Sequence, residues 1–106
     1  MFRDPLRELR EAQQALSQLK QAIDQKKGRK EEIERKIIPE TQQKLRELQK
    51  NKKFQEIPGL NSQINSTRNE LSRINYDLPR LESQRQEIER QLPEFEKSIR
   101  EIRKRS

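Results

Sequence analysis

A heptad repeat in the second half of the chain constrains the fold most. From Leu60 to Ile102, apolar residues recur at alternating steps of three and four. This spacing is typical of the a and d sites of a coiled coil, whose narrow apolar stripe is buried only when another helix lies along it. The predicted stripe consists of Leu60, Ile64, Leu71, Ile74, Leu78, Leu81, Ile88, Leu92, Phe95, Ile99 and Ile102.

Composition favours helices over a layered core. Of the 106 residues, 27% are hydrophobic and 41% are charged, which is too little apolar material for a layered globular domain. Residues with high β propensity are scarce and no stretch alternates with a period of two. We therefore expect an all-α chain that forms a single domain.

The first half of the chain offers a partner for the stripe. Asp4-Pro5 is typical of a helix start, because Asp caps the first amides and Pro is preorganised for the first helical position. The apolar residues that follow at helical spacing are Leu16, Leu19, Ile23, Ile33, Ile37, Leu45 and Leu48. Between residues 24 and 32 the stripe is polar, and between Ile37 and Leu45 it loses the heptad phase.

A turn signal separates the two halves. Within Ile57-Pro58-Gly59-Leu60, Pro58 presets φ and Gly59 accepts the positive φ of a type II turn. We predict a long antiparallel two-helix coiled-coil hairpin, with helix 1 at about residues 4–55, a turn at residues 57–60 and helix 2 at about residues 61–104. The numbers of facing residues then sum to about 117. This register sets Ile37 near Leu78, Leu48 near Leu71 and Leu19 near Ile99.

Three prolines interrupt the predicted helices. Pro39, Pro79 and Pro93 would each cost a helix interior about 3 kcal/mol, and we expect them to kink the hairpin. Pro39 and Pro79 face each other in the predicted register, so they predict a shared elbow. The alternative fold is a three-helix bundle in which the first half breaks at Gly28 or Pro39.

The residue types exclude most catalytic chemistry. The chain has no His, no Cys and two Gly, so the usual bases, nucleophiles, zinc ligands and phosphate-binding loops are missing. We expect a protein that is not an enzyme and that uses no metal or cofactor. Without Cys it suits a reducing compartment. Charges throughout its first twenty residues predict no secretory signal and no membrane span, so we expect a soluble intracellular protein.

The net charge of +7 is concentrated in the first half, where residues 1–53 carry 15 basic and 9 acidic side chains. Closely spaced cations bind phosphates by displacing counterions, although basic runs are more often solvated helix faces. One basic tip lies beside the turn and includes Phe54. The candidate polyanion-binding residues are Lys26, Lys27, Arg29, Lys30, Lys50, Lys52 and Lys53.

Arg85 is a charged a site within an otherwise apolar run. The a and d sites form the seam along which paired helices meet, and a polar residue in the seam often fixes the register of a coiled coil. In the predicted hairpin it faces the polar gap of the first half, where Glu31 or Glu32 is available as a partner. We therefore predict that Arg85 sets the register.

The sequence also resembles the coiled-coil arms of chromosome-maintenance ATPases. The resemblance rests on Glu56-Ile57-Pro58-Gly59-Leu60 and Asp77-Leu78-Pro79-Arg80-Leu81, two proline-interrupted stretches of a heptad run. It implies a long coiled-coil arm. The hook cysteines, nucleotide motifs and hinge of those ATPases are absent from this sequence, so no functional residue is carried over.

Together these patterns predict a coiled-coil protein that acts as a spacer, scaffold or adaptor through helix–helix contacts. Its expected partner is another protein bound through the coiled-coil surface, with self-association as one possibility. The alternative is a basic helical hairpin that binds nucleic acid or another polyanion electrostatically.

Overall fold

The computed structural model describes residues 4–105, which form an all-α helical hairpin. The first arm consists of α1 (Pro5–Glu32), a π-helical turn (Ile33–Ile37) and α2 (Ile38–Lys50). A 3-10 turn (Phe54–Glu56) leads into the second arm, α3 (Ile57–Arg105). The predicted all-α hairpin is confirmed. The first arm stays helical through both Gly28 and Pro39, so it does not break as the three-helix alternative requires.

The first arm begins where the sequence predicts. The Oδ1 atom of Asp4 accepts hydrogen bonds from the N–H groups of Leu6 and Arg7, at 3.1 and 3.4 Å. Pro5 is the first residue of α1. Asp4 therefore satisfies amides that have no partner within the helix.

The connection between the arms lies earlier than predicted. The Lys53 N–H donates to the Leu48 carbonyl at 2.9 Å, and the Lys52 N–H donates to the Gln49 carbonyl at 3.3 Å. Lys52 has a φ of 56°. These two bonds and the left-handed residue form a Schellman motif that ends α2. Lys52 therefore occupies a position where Gly is usual.

The prediction of a turn at residues 57–60 was wrong. Ile57, Pro58 and Gly59 form the start of α3, and Gly59 does not adopt a positive φ. Proline suits the first turn of a helix because its missing N–H would have no partner there. The same Pro-Gly pair therefore fits a helix start as well as a type II turn.

The earlier connection changes the register of the two arms. Lys26 forms an ion pair with Asp77, whereas the predicted register sets it near Gln91. The other predicted neighbours are replaced as well. Three surface hollows are each lined by residues of both arms. Ile37 and Thr67 line one, Leu48 and Leu60 line the second, and Leu19 and Ile88 line the third.

The stripe of α3 faces the first arm. Every predicted position from Leu60 to Ile99 is buried or half-buried, and so are Thr67 and Arg85. Ile102 is 52% exposed and lies outside this pattern. Within residues 4–105, the buried hydrophobic side chains are Ile23, Ile33, Ile64 and Ile74, of which Ile23 and Ile33 are fully buried.

The π-helical turn accounts for the lost heptad phase of the first arm. The Ile38 N–H donates to the Ile33 carbonyl, which is a bond of the i to i+5 type. After Ile33, the half-buried positions Ile38, Thr41, Leu45 and Leu48 each come one residue later than heptad spacing requires. A π-helical turn holds one extra residue, so it returns these side chains to the seam.

The prolines differ in their effects on the backbone. Pro39 directly follows the π-helical turn, and Thr41 donates through Oγ1 to the Ile37 carbonyl at 2.6 Å. Pro79 and Pro93 lie inside α3, which stays α-helical across both. Thr41 and Gln63 line one hollow. Pro39 therefore lies across from that part of α3 and not across from Pro79, so the predicted shared elbow is not formed.

The hairpin divides into two compact units. The described residues of unit 1 are 4–24 and 79–105, and unit 2 comprises Gln25–Leu78. Unit 1 carries 11 basic and 10 acidic residues among those described, whereas unit 2 carries 13 and 8. The positive charge is therefore concentrated in unit 2. In the part of the chain that the structure describes, no helix is long and apolar enough to cross a membrane.

Candidate helix–helix interface

In unit 2, ion pairs close one side of the seam. The Lys26 Nζ lies 3.3 Å from Asp77 Oδ2. Arg29 binds Glu70 through two bonds, from Nε to Oε1 at 2.8 Å and from the second terminal nitrogen to Oε2 at 3.1 Å. Glu70 and Asp77 directly precede the a sites Leu71 and Leu78. Charged side chains thus cover the flank of this seam.

The Arg29–Glu70 pair changes the pKa values of both groups. The hydrogen bond from Arg29 lowers the pKa of the Glu70 carboxyl below its ordinary value. The bond to Glu70 raises the pKa of Arg29, and Coulombic attraction to Glu70 and Glu32 adds to this. Hydrogen bonds to the charged form of a group favour that form. The pair is therefore fully charged at neutral pH.

These ion pairs alter the expectation for the first basic cluster. Lys26 is paired with Asp77, while Arg29 is paired with Glu70 and, at 3.3 Å, with Glu32. Lys27 is exposed and Lys30 is half-buried. The cluster is thus partly neutralised by acidic side chains of its own unit.

The basic tip has a different environment. Lys50, Lys52 and Lys53 are all exposed where the arms connect. The ring of Phe54 beside them is 61% exposed. A hollow at this end is lined by Lys52, Lys53, Phe54, Gln55 and Glu56. The structure therefore brings this predicted set together on the surface.

Arg85 pairs along its own helix. Its side chain lies 2.9 Å from Glu82 and 3.7 Å from Glu89, and its buried Nε has no hydrogen-bond partner. The predicted partners are engaged elsewhere, because Glu31 pairs with Arg35 and Glu32 with Arg29. The predicted pairing of Arg85 with Glu31 or Glu32 was wrong, since both acids bind cations of the first arm.

The seam of unit 1 has fewer buried side chains than that of unit 2, where Ile33, Ile64 and Ile74 are buried and the other positions are half-buried. Ile23 is buried. Apart from the exposed Ile102, the other apolar seam positions are half-buried, and they are Leu16, Leu19, Leu81, Ile88, Leu92, Phe95 and Ile99. A half-buried apolar side chain gains only part of the free energy available from full burial.

One flank of this seam is uncharged. Ala15 and Ala22 directly precede the seam residues of α1, and Gln84 and Gln91 occupy the corresponding positions of α3. A hollow of about 410 Å³ opens here, lined by Ala15, Gln18, Leu19, Gln84, Glu87 and Ile88. We call this hollow the unit 1 groove. Its floor is apolar because the alanine side chains are too short to cover the seam.

Sequence reasoning missed the residues that distinguish the two flanks. It assigned no role to Ala15, Ala22, Glu70 or Asp77. A detectable signal was present, because each of these residues directly precedes a seam position. In a coiled coil those flanking sites decide whether charges or further helices cover the seam.

Comparison with models of known protein families, with curated proteins and with solved structures finds no match to this chain. Among residues 4–105, no cluster of three or more His, Cys, Asp or Glu side chains is arranged to hold a metal ion.

Proposed function

We propose that this chain is a non-enzymatic helix–helix interaction protein that acts as a scaffold or adaptor. Unit 2 closes on itself, and unit 1 binds a helix of another protein along its groove. An intracellular location is part of the proposal, since a chain without cysteine has no need of an oxidising compartment.

One observation carries this proposal: the difference between the two flanks. A helix that packs only in a pair needs apolar a and d sites, whereas a helix of a larger bundle also needs apolar or small residues at a flanking site. Ala15 and Ala22 supply that third position in unit 1, and Arg29 replaces it in unit 2. Unit 1 therefore has the pattern of a bundle that lacks at least one helix.

Site-specific photo-crosslinking in cells tests the proposal. A photoreactive phenylalanine analogue replaces Gln84, which lines the groove. The matched control places the same analogue at Gln86, which is exposed and lies two residues along the same helix, turned about 200° around its axis. We expect defined crosslinked products from position 84 and none of these from position 86.

Two results would contradict the proposal. Position 84 would yield no crosslinked protein, or positions 84 and 86 would yield the same products. Circular dichroism of both purified variants verifies that the helices are retained.

A second candidate function is polyanion binding at the basic tip. The observation in its favour is the surplus of five positive charges in unit 2, together with the exposed Lys50, Lys52 and Lys53. Replacing these three lysines by Gln should weaken binding to unrelated DNA and reduce its salt dependence. The matched control replaces Lys20, Lys97 and Lys104 of unit 1. Absence of DNA binding by the unaltered chain at low salt would exclude this function.

A further inference from the structure

The rim of the unit 1 groove is acidic. Glu87 lines the groove directly, and Glu94 lies two helical turns further along the same side of α3. On α1, Glu11 lies one turn before Ala15. The apolar floor is thus bordered by carboxylates on both helices.

These carboxylates remain available to a partner. Glu11 pairs with Arg7 at 3.1 Å and Glu87 with Arg90 at 3.6 Å, and each pair lies along a single helix. All four side chains are more than half exposed. Exposed pairs of this kind contribute little free energy, so a cation brought close by an apolar contact replaces them at small cost.

Arg80 lies two helical turns before Glu87 on the same side of α3, but the basic side chains beyond Glu87 lie on other faces. Arg90 and Lys97 are seven residues apart and directly precede the flanking residues Gln91 and Ser98. This position in the heptad is the one most distant from the seam. The near-neutral total charge of unit 1 therefore conceals an acidic groove and a basic back.

We infer that the unit 1 groove binds a basic amphipathic helix, with Lys or Arg residues beside a narrow apolar stripe. This inference rests on the proposed function and specifies its partner. Apolar residues of the partner at helical spacing pack on Ala15, Leu19 and Ile88, as in other helix-in-groove complexes. Its cations bind the carboxylates of the rim.

A second copy of unit 1 fits this groove poorly. Two acidic rims would face each other, and like charges in close contact oppose association. A basic helix has the complementary charge and also gives the salt-dependent approach typical of such pairs. The charge of the rim thus selects between these two occupants.

Peptide binding to the full chain tests the inference. Three designed helical peptides share one leucine stripe and differ only in the flanking residues, which are all Lys, all Gln or all Glu. Fluorescence anisotropy measures their dissociation constants at low and moderate salt. We expect the Lys peptide to bind about tenfold or more tightly than the Glu peptide, with the Gln peptide between them.

A charge-reversal variant assigns this preference to the groove. Glu87→Lys combined with Glu94→Lys should reverse the order of the Lys and Glu peptides. The matched control, Glu89→Lys combined with Glu96→Lys, makes the same change of charge on the other side of the α3 seam. We expect this control to keep the original order. Both pairs of glutamates are exposed, and circular dichroism checks that the helices persist.

The outcomes separate the inference from the proposed function. Equal binding of all three peptides, or preferential binding of the Glu peptide, would overturn the inference and leave the proposed function standing. Crosslinking of position 84 to a second copy of the chain would overturn both, because the proposed partner is a helix of another protein. Failure of every peptide, together with no crosslinks from position 84, would overturn both.

Discussion

In unit 2 the flanking residues Arg29, Glu70 and Asp77 carry paired charges, and in unit 1 the equivalent positions carry alanine and glutamine. The a and d stripe of α3 runs through both units with the same spacing. Three of the four buried isoleucines belong to unit 2, and the remaining stripe positions up to Ile99 are half-buried in both units. The flanking residues, and not the stripe, therefore distinguish the two units.

This comparison separates two roles within one repeat. Ion pairs such as Arg29–Glu70 specify which helix lies beside α3 in unit 2, because a displaced register would separate the charges. Alanine flanks specify nothing of this kind, but they let another helix approach closely. A uniform heptad pattern can thus contain one region flanked by ion pairs and another flanked by small and uncharged side chains.

The largest expected effect comes from a deletion that shifts the heptad phase of one arm of unit 2 relative to the seam. Deleting the exposed Asn69 rotates the following part of α3 by about 100° relative to its seam. Because this displaces buried residues such as Ile74, we expect a loss of about 5 kcal/mol or more in the free energy of unfolding. Chemical denaturation measures it.

The matched deletion removes the exposed Glu34 from the π-helical turn, combined with Pro39→Ala so that a regular α-helix can form. The extra residue is then absent, and Ile38, Thr41, Leu45 and Leu48 meet heptad spacing. We expect a change within about 1 kcal/mol. Equal losses from the two deletions would contradict the account of the π-helical turn.

The next effect compares buried seams. Ile33 is 0% exposed in unit 2, and Ile33→Ala should lower the free energy of unfolding by about 2–5 kcal/mol. Ile88→Ala in unit 1 should cost less, because the Ile88 side chain is already partly hydrated. Denaturation at low protein concentration compares them. A larger loss at Ile88 would show that the seam of unit 1 is the better packed one.

A smaller effect concerns the tip of unit 2. Lys52 adopts a positive φ that costs a residue with a Cβ about 1 kcal/mol, so Lys52→Gly should raise stability by a similar amount. Lys53→Gly is the control, because Lys53 has a φ of −88° and gains nothing from glycine. Slower amide hydrogen exchange in unit 2, with unit 1 unchanged, is the expected readout. Equal effects at both positions would argue against the Schellman motif.

The smallest effect is the pH dependence of unit 2. The pKa of Glu70 is lowered by Arg29 in the folded chain, so the pair stabilises the fold above the ordinary pKa of glutamate. That stabilisation is lost as the pH falls through the lowered pKa. Glu70→Gln should slightly reduce the thermal unfolding midpoint at neutral pH and make it less sensitive to acid.

Glu87→Gln in unit 1 provides the comparison, because Glu87 pairs with Arg90 along one helix and not across the seam. We expect the acid sensitivity of the midpoint to change more for Glu70→Gln than for Glu87→Gln. The reverse order would mean that the Arg29–Glu70 pair does not stabilise unit 2.

The sequence was sufficient to predict the stripe of α3, since steps of three and four place each residue on one face of a helix whatever lies opposite. It was also sufficient to predict the start at Asp4-Pro5, where capping is local. The connection was mispredicted because Pro58-Gly59 fits two local structures. In the actual turn, Lys52 adopts a left-handed conformation. A lysine gives no sign of this in the sequence, because the residue usual at such a position is glycine.

The unit 1 groove could not be predicted from the sequence, because its lining depends on the register of the two arms and the predicted register was wrong. A displaced connection changes which residue faces which, so Leu19 was expected beside Ile99 and lies with Ile88 instead. The pairing of Lys26 and Arg29 with Asp77 and Glu70 depended on the register in the same way. Local patterns thus specified each helix, and the connection specified the interface.

The π-helical turn also determines the direction in which the tip of the hairpin faces. Each added or deleted residue turns the remainder of a helix by about 100° around its axis. Without the π-helical turn, the extra residue of the first arm would carry Lys50, Lys52 and Phe54 to another azimuth. By absorbing that residue, the backbone keeps these exposed side chains in a constant orientation relative to the seam of unit 2. A single irregular turn thereby sets the orientation of the basic tip, which lies several helical turns away.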